Sequence, residues 1–314
     1  MRRRVFLRAT LAAVLPLGTG LHRPSRRLNL VERWSWAMGQ PVHLLLFHES
    51  EADGLEAAQA AFAELRRVEA RLSRFDDASD LSELNRRAGR GPMRADADLL
   101  AVLQAAAGRR ATTGGAFDVA VEPLMRVWGF RGRKGLPEEI ELREAREAVR
   151  TAVIRLDADR VELPAAHTQL DLGGIGVGYG LDRAGAILRD RGVTSALLDV
   201  SGDILAIGTP PGRPGWPVDI ADPRVPGGRL ASTLLRDQAL ATSGNNASVV
   251  RLGGMLFGHV MDPALGCPAS RLLQATVVAR SGMEADVLST AMLVAGRRFP
   301  GVERSWTVAV EREE

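Results

Sequence analysis

Between Asp171 and Asp182 the chain reads Asp-Leu-Gly-Gly-Ile-Gly-Val-Gly-Tyr-Gly-Leu-Asp, with five glycines in the eight positions 173–180. With no Cβ in the way, backbone amides and carbonyls in such a run can come close to a ligand. The residues that follow, Arg183 to Arg191, carry the pattern of a helix opening. A glycine-lined turn that feeds a helix N-terminus offers unpaired N–H groups to an anion such as phosphate. A tight structural turn without a ligand has the same signature. The case for a ligand comes from two later segments, His259-Val-Met-Asp-Pro263 and Glu284-Ala-Asp-Val-Leu-Ser-Thr290.

The chain has 314 residues, 46% of them hydrophobic, enough for one large domain or two small ones with a buried core. No internal repeat and no linker divides it. The single cysteine, Cys267, rules out an intrachain disulfide and a multi-cysteine zinc site, and reads as a small packed hydrophobe. Seven of the arginines (Arg2, Arg3, Arg4, Arg8, Arg23, Arg26 and Arg27) fall within residues 1–27, which hold no acid. The remainder carries 34 basic against 38 acidic residues. A mildly acidic body argues against nucleic-acid binding. The arginines at 3 and 4, followed by the short apolar run from Ala9 to Gly18, predict a twin-arginine-type signal peptide and leader over 1–27 and a single domain over 28–314. An amphipathic N-terminal helix is the alternative. The expected location is the periplasm, with membrane contact only through export or a residual N-terminal anchor.

Hydrophobic spacing predicts a buried strand at Val42–His48 and helices over 54–72, 98–112, 138–150, 182–191 and 284–296. A short helix capped by Ser79 runs through Leu84. From Ala152 onward strands dominate: 152–156, 160–163, 195–200, 218–220, 228–235, 273–278 and 306–310. The order lacks a repeated strand-helix alternation. It predicts an α+β fold, with a mixed, largely antiparallel sheet flanked by helices.

Asp286 and Thr290 stand four apart on a predicted helix, so both side chains share a face. A carboxylate and a hydroxyl are two hard oxygen ligands of the kind Mg²⁺ takes. Local capping by Asp286 and simple packing of Thr290 would leave the same sequence. His259, at a strand-to-turn junction, is either a hydrogen-bonded structural residue or a base that titrates near neutrality. His43 and His48 alternate with apolar residues and read as structural. Thr113-Gly-Gly-Ala-Phe-Asp118 sets a ring and a carboxylate after a glycine turn, which suits a ring-shaped ligand or a core Phe beside a capping Asp.

Taken in order, these motifs resemble one family, the ApbE-type FAD:protein FMN transferases, over most of residues 36–296. The resemblance is carried by Met38-Gly39, by Ser73-Arg-Phe75 with Ser79-Asp-Leu-Ser-Glu-Leu-Asn85, and by Gly115-Ala-Phe-Asp-Val-Ala-Val-Glu-Pro-Leu124 with Trp128-Gly-Phe130. The glycine run, Ser201-Gly-Asp-Ile204, Thr242-Ser-Gly244, His259-x-x-Asp-Pro and Ala285-Asp-x-x-x-Thr290 follow in the family's order. The resemblance implies an ApbE-like fold and Mg²⁺-dependent transfer of the FMN half of FAD to a threonine hydroxyl of an acceptor flavoprotein, with release of AMP. It also implies roles. Met38, Phe75, Ala116, Phe117, Asp118 and Tyr179 would line the FAD site. Asp286, Thr290 and the carbonyl of Gly176 would hold the metal, and His259 would be the base. Four positions depart from the pattern: Gln40, Ala120 and Leu265 each replace a threonine, and Val177 stands where a lysine is usual. They leave open an alternative, an FAD-binding protein with weak pyrophosphatase activity or none.

Overall fold

The structure is a computed structural model that describes residues 28–310 apart from Lys134, Asn246 and Ala247. The leader expected over 1–27 lies outside the described residues. Seven strands form one sheet in the spatial order Asn29–Ala37, Gln40–His48, Ser195–Val200, Asp203–Ile207, Ala239–Gly244, Leu272–Ala279 and Arg304–Ala309. Every neighbouring pair is antiparallel. The expected α+β class with a largely antiparallel sheet therefore holds.

Among the described residues seven α-helices accompany the sheet: α1 (Glu51–Leu72), α2 (Asp80–Arg86), α3 (Ala97–Thr112), α4 (Glu122–Val127), α5 (Glu139–Arg150), α6 (Gly176–Asp190) and α7 (Gly282–Ala295). α1, α6 and α7 bury Leu65, Leu181, Leu188, Leu288 and Met292 against Leu44, Leu198, Leu205 and Val277 of the sheet. On the other face a two-stranded ribbon, Trp216–Ala221 with Arg229–Leu235, covers Leu45, Leu197, Ile204, Leu240 and Val278. A third cluster joins α4 and α5 to Leu252 and Met261, and so sets the segment around His259 beside the main body.

Two expectations need correction. The predicted strand over 152–156 shrinks to Arg155–Asp157, because Thr151 only just closes α5 with its N–H on the Glu147 carbonyl. More consequentially, α6 begins at Gly176, six residues before the predicted opening at Asp182, so half of the glycine run is helix. The reason is tertiary. A Cβ built on Gly178 would lie 2.2 Å from the Gly282 carbonyl oxygen, and one on Gly282 would lie 2.5 Å from the Gly178 carbonyl oxygen. The two helices touch backbone to backbone, and only glycine at both positions permits that approach. Gly178→Ala is accordingly expected to cost at least the ~1–3 kcal/mol typical of an overpacked core. A thermal melt checks this, and an unchanged melting temperature would mean that the two backbones are not in contact.

Candidate active site

The N-terminus of α7 is pinned twice. Ser281 caps it by accepting the Glu284 N–H at 3.2 Å, and the Asp182 carboxylate reaches across from α6 to accept the N–H groups of Gly282 (2.6 Å) and Met283 (2.9 Å). One turn on, Asp286 is buried and accepts the Gly178 N–H at 3.0 Å. A further turn on, the Thr290 hydroxyl lies 3.0 Å from the hydroxyl of Ser243, which is also 2.8 Å from that of Ser289. A Cβ on Gly174 would meet Thr290 Oγ1 at 3.0 Å and Phe117 Cε2 at 3.3 Å. The two residues four apart do share a face, and that face is turned to the glycine segment.

The electrostatics of this face are unbalanced. Burial pushes the Asp286 carboxyl well above its ordinary range, and the charges of Asp203 and Asp182 push it further. Asp203 accepts the Thr242 N–H at 3.2 Å, and burial with the nearby Asp199 pushes it up to about 7. No basic side chain offsets Asp286 or Asp203 among the described residues. Buried negative charge without a protein counter-ion fits a divalent cation. The donor set is thin, since no three His, Cys, Asp or Glu side chains converge on a metal position among the described residues. The hydroxyl of Thr290 and a loop carbonyl would have to complete it, which suits Mg²⁺, an ion that keeps several waters or phosphate oxygens. The resemblance gives that carbonyl to Gly176, the first residue of α6. The glycine set against Thr290 is Gly174.

A stability test follows from these shifts. An unfolded Asp203 loses its proton near 3.8, whereas the folded one holds it to about 7. Between those values the folded state binds the extra proton, so this group's contribution to stability falls as pH rises. Mg²⁺ replaces the lost proton's charge, and the rise in melting temperature on adding it is expected to be larger at pH 8 than at pH 5. Equal shifts at the two pH values, read by calorimetry, would contradict a cation bound at these carboxylates.

A second group of residues lies at the other end of the glycine loop. Met38 sits at φ 56° in a tight turn, with its own N–H and that of Gly39 both donated to the Glu69 carboxylate at 2.8 Å. Its sulfur would lie 3.7 Å from a Cβ on Gly180. Phe75 is 84% exposed, and its ring is backed by the Arg74 guanidinium 4.7 Å from the centroid. Beneath them Glu122, 1% exposed, accepts from Arg74 (3.0 Å), Arg126 (3.0 Å) and Arg131 (2.5 Å). Arg131 also reaches Asp171 at 2.7 Å, and Asp171 accepts the Gly173 N–H at 2.7 Å, which fixes the start of the loop.

Three expected ligand residues are otherwise engaged. Phe117 is core, and Asp118 caps the following turn through the Ala120 N–H (2.9 Å) while pairing with Arg110 at 2.7 Å. Of Ala116–Asp118, mainly backbone is left for a ligand. Tyr179 donates to Asp98 at 2.6 Å, within an ion network that includes Arg67, Glu64 and Arg183, and does not join the others. His259 is half-buried, and its buried Nδ1 has no hydrogen-bond partner among the described residues. Burial lowers its pKa from the usual 6.5, with Arg131 lowering it further and the Ser248 backbone and Asp171 acting against them. Sequence reasoning gave no role to Ser243 or Asp203, although both stand inside quoted motifs. Glu122 stands inside one as well, and for Arg131 it had no signal.

The protein-family model described as the ApbE family matches residues 38–303. Among curated proteins, the chain is similar to the FAD:protein FMN transferase of Treponema pallidum, with 30% identity over 327 residues covering 95% of this chain and 90% of that protein. The protein of the same name from Klebsiella pneumoniae is 27% identical over 88% of this chain and 84% of its own length. Among solved structures, the ApbE protein of Thermotoga maritima superposes with a TM-score of 0.78 at 27% identity, covering 85% of this chain and 87% of that one. Apo flavinyl transferase ApbE of Pseudomonas stutzeri superposes with a TM-score of 0.74 at 27% identity, covering 85% of each. With its motifs in order, its sheet and helices matched and the family model spanning nearly all of its described residues, the chain belongs to the ApbE family.

Proposed function

We propose that this chain, a flavin transferase by family, moves the FMN half of FAD to a threonine hydroxyl of an acceptor flavoprotein with the help of Mg²⁺, releasing AMP, and that it does so in the periplasm after export by the twin-arginine route. The observation that carries the reading is the juxtaposition of Asp286 and Thr290 with the glycine loop, across a helix contact that only Gly178 and Gly282 allow. Asp286, Thr290 and the Gly176 carbonyl would hold the metal, which when bound neutralises charge on the diphosphate oxygens. The rest falls to the chain's own groups. Of the N–H groups that open α6, those of Gly176, Gly178 and Tyr179 are held by Leu172, Asp286 and Ile175, which leaves that of Val177 for the diphosphate. Phe75, stiffened by Arg74 and Arg131, offers a stacking face to a purine or flavin ring. His259, neutral at pH 7, accepts the proton of the threonine hydroxyl as its oxygen bonds to the FMN phosphorus. The phosphorus–oxygen bond to AMP breaks, and AMP leaves with the electron pair.

One observation favours a second reading, in which water replaces the threonine or no transfer occurs. Apart from its N–H groups, the first turn of α6 has no cation, since Val177 is apolar and packs into the core. Incubating the purified chain with FAD, Mg²⁺ and threonine-bearing acceptors distinguishes the two. A fluorescent, acid-stable flavin-protein adduct is expected. AMP release without any adduct would favour hydrolysis, and neither product would reject both reactions.

A further inference from the structure

The first strand, Asn29–Ala37, forms one edge of the seven-stranded sheet. Successive residues of a strand point to opposite faces. On one face Val31 and Ala37 are buried beneath the helices. On the other, Leu28, Leu30, Trp34 and Trp36 stand 39%, 45%, 55% and 60% exposed. The ribbon that shields the rest of this face reaches Leu45, Leu197 and Ile204 but leaves the edge strand open. The result is an apolar strip about 27 Å long at the usual strand rise. It is also stiff. The Trp34 ring stacks on His43 with centroids 3.9 Å apart, and His43 is held by Glu32 at 2.8 Å, so the one acid in the strip is already paired.

We propose that this strip docks on a lipid bilayer. What precedes it in the chain argues for that occupant. Residues 1–27 carry seven arginines, no acid and the apolar run from Ala9 to Gly18. Where that run is kept after export as a residual anchor, nine residues separate it from Leu28, a tether of at most ~32 Å. Any bilayer that takes up the apolar run therefore lies within reach of the strip. Tryptophan favours the headgroup level, where its ring is in hydrocarbon and its N–H in water. A ten-residue apolar run is too short to span a membrane well, and four exposed side chains form a weak anchor. Joined by a short tether, they reinforce one another. The arginines add attraction to anionic headgroups. Trp36 stands two residues before Met38, so docking would set the corner formed by Met38 and Glu69 close to the membrane surface. The docking itself does not depend on the reaction assigned to that corner.

The test uses the full chain on vesicles of phosphatidylethanolamine and phosphatidylglycerol with brominated acyl chains. Of the five tryptophans, Trp128 and Trp216 are buried, which makes Trp34 and Trp36 the main quenchable pair. The wild type is expected to show blue-shifted emission and bromine quenching. Trp34→Ser/Trp36→Ser should still sediment with vesicles through residues 1–27 but lose the quenching. Leu30→Glu, which keeps both reporters, should also weaken it. Quenching of the wild type no greater than that of the double variant would overturn the proposal. So would a wild type that is dimeric by light scattering, with both tryptophans shielded before any lipid is added, because the strip would then be a contact between two copies.

Discussion

Asp286→Asn is expected to lower Mg²⁺-dependent AMP release from FAD by at least ~10³-fold, the equivalent of the several kcal/mol of charge stabilisation that a bound metal supplies to a phosphoryl transition state. The fold should survive. The amide oxygen of asparagine can accept the Gly178 N–H that Asp286 now accepts at 3.0 Å, so the contact between α6 and α7 keeps its hydrogen bond. The substitution also removes a buried charge that Asp203 and Asp182 already disfavour. The metal-free variant at pH 8 should therefore melt no lower than the wild type, while losing the stabilisation that Mg²⁺ confers. Activity and the magnesium-dependent melting shift must vanish together. A variant that retains turnover, or one that loses turnover but keeps its magnesium-dependent shift, would take the metal away from α7.

That experiment bears on residues the sequence exposed well. Asp286 and Thr290 were legible because the helix period is a local property, and residues four apart on any helix share a face. Their partners were not local. Gly178 lies 108 positions from Asp286, and nothing in either segment states that the two helices cross there. The same contact explains the misplaced start of α6. Glycine disfavours helix by ~1 kcal/mol per residue, so five of them read as a turn, yet packing against α7 overrides that preference. The strand Ala239–Gly244 escaped notice for a related reason. Ala-Leu-Ala-Thr-Ser-Gly has little of the β-branched or aromatic content that marks a strand, although it carries Ser243 to Thr290. Glu122 was the least legible of all. A glutamate before a proline looks like any helix start, and only the fold gathers three arginines around it. Two of the FAD-lining residues that the resemblance implies have their places set by distant contacts. Phe117 lies under Gly174, and Tyr179 is spent on Asp98.

His259→Ala is expected to slow transfer to an acceptor by ~10²–10⁴-fold, the usual worth of a general base, with FAD binding little changed. The pH profile distinguishes a base from a residue that merely packs. A base works when deprotonated, and its rate falls as pH drops through its pKa. Burial lowers that pKa below the ordinary 6.5, so the acid limb of wild-type transfer should have its midpoint below pH 6.5. Arg131 contributes to the lowering by its positive charge. Arg131→Gln should therefore move the acid limb upward in pH, and the alanine variant should lose the limb altogether. Glu122 would keep Arg74 and Arg126 as partners in Arg131→Gln, so the buried carboxylate is not abandoned. Initial rates of adduct formation between pH 5 and pH 9 decide the matter. A limb that stays in place in Arg131→Gln, or one that persists in His259→Ala, would assign the proton to another group.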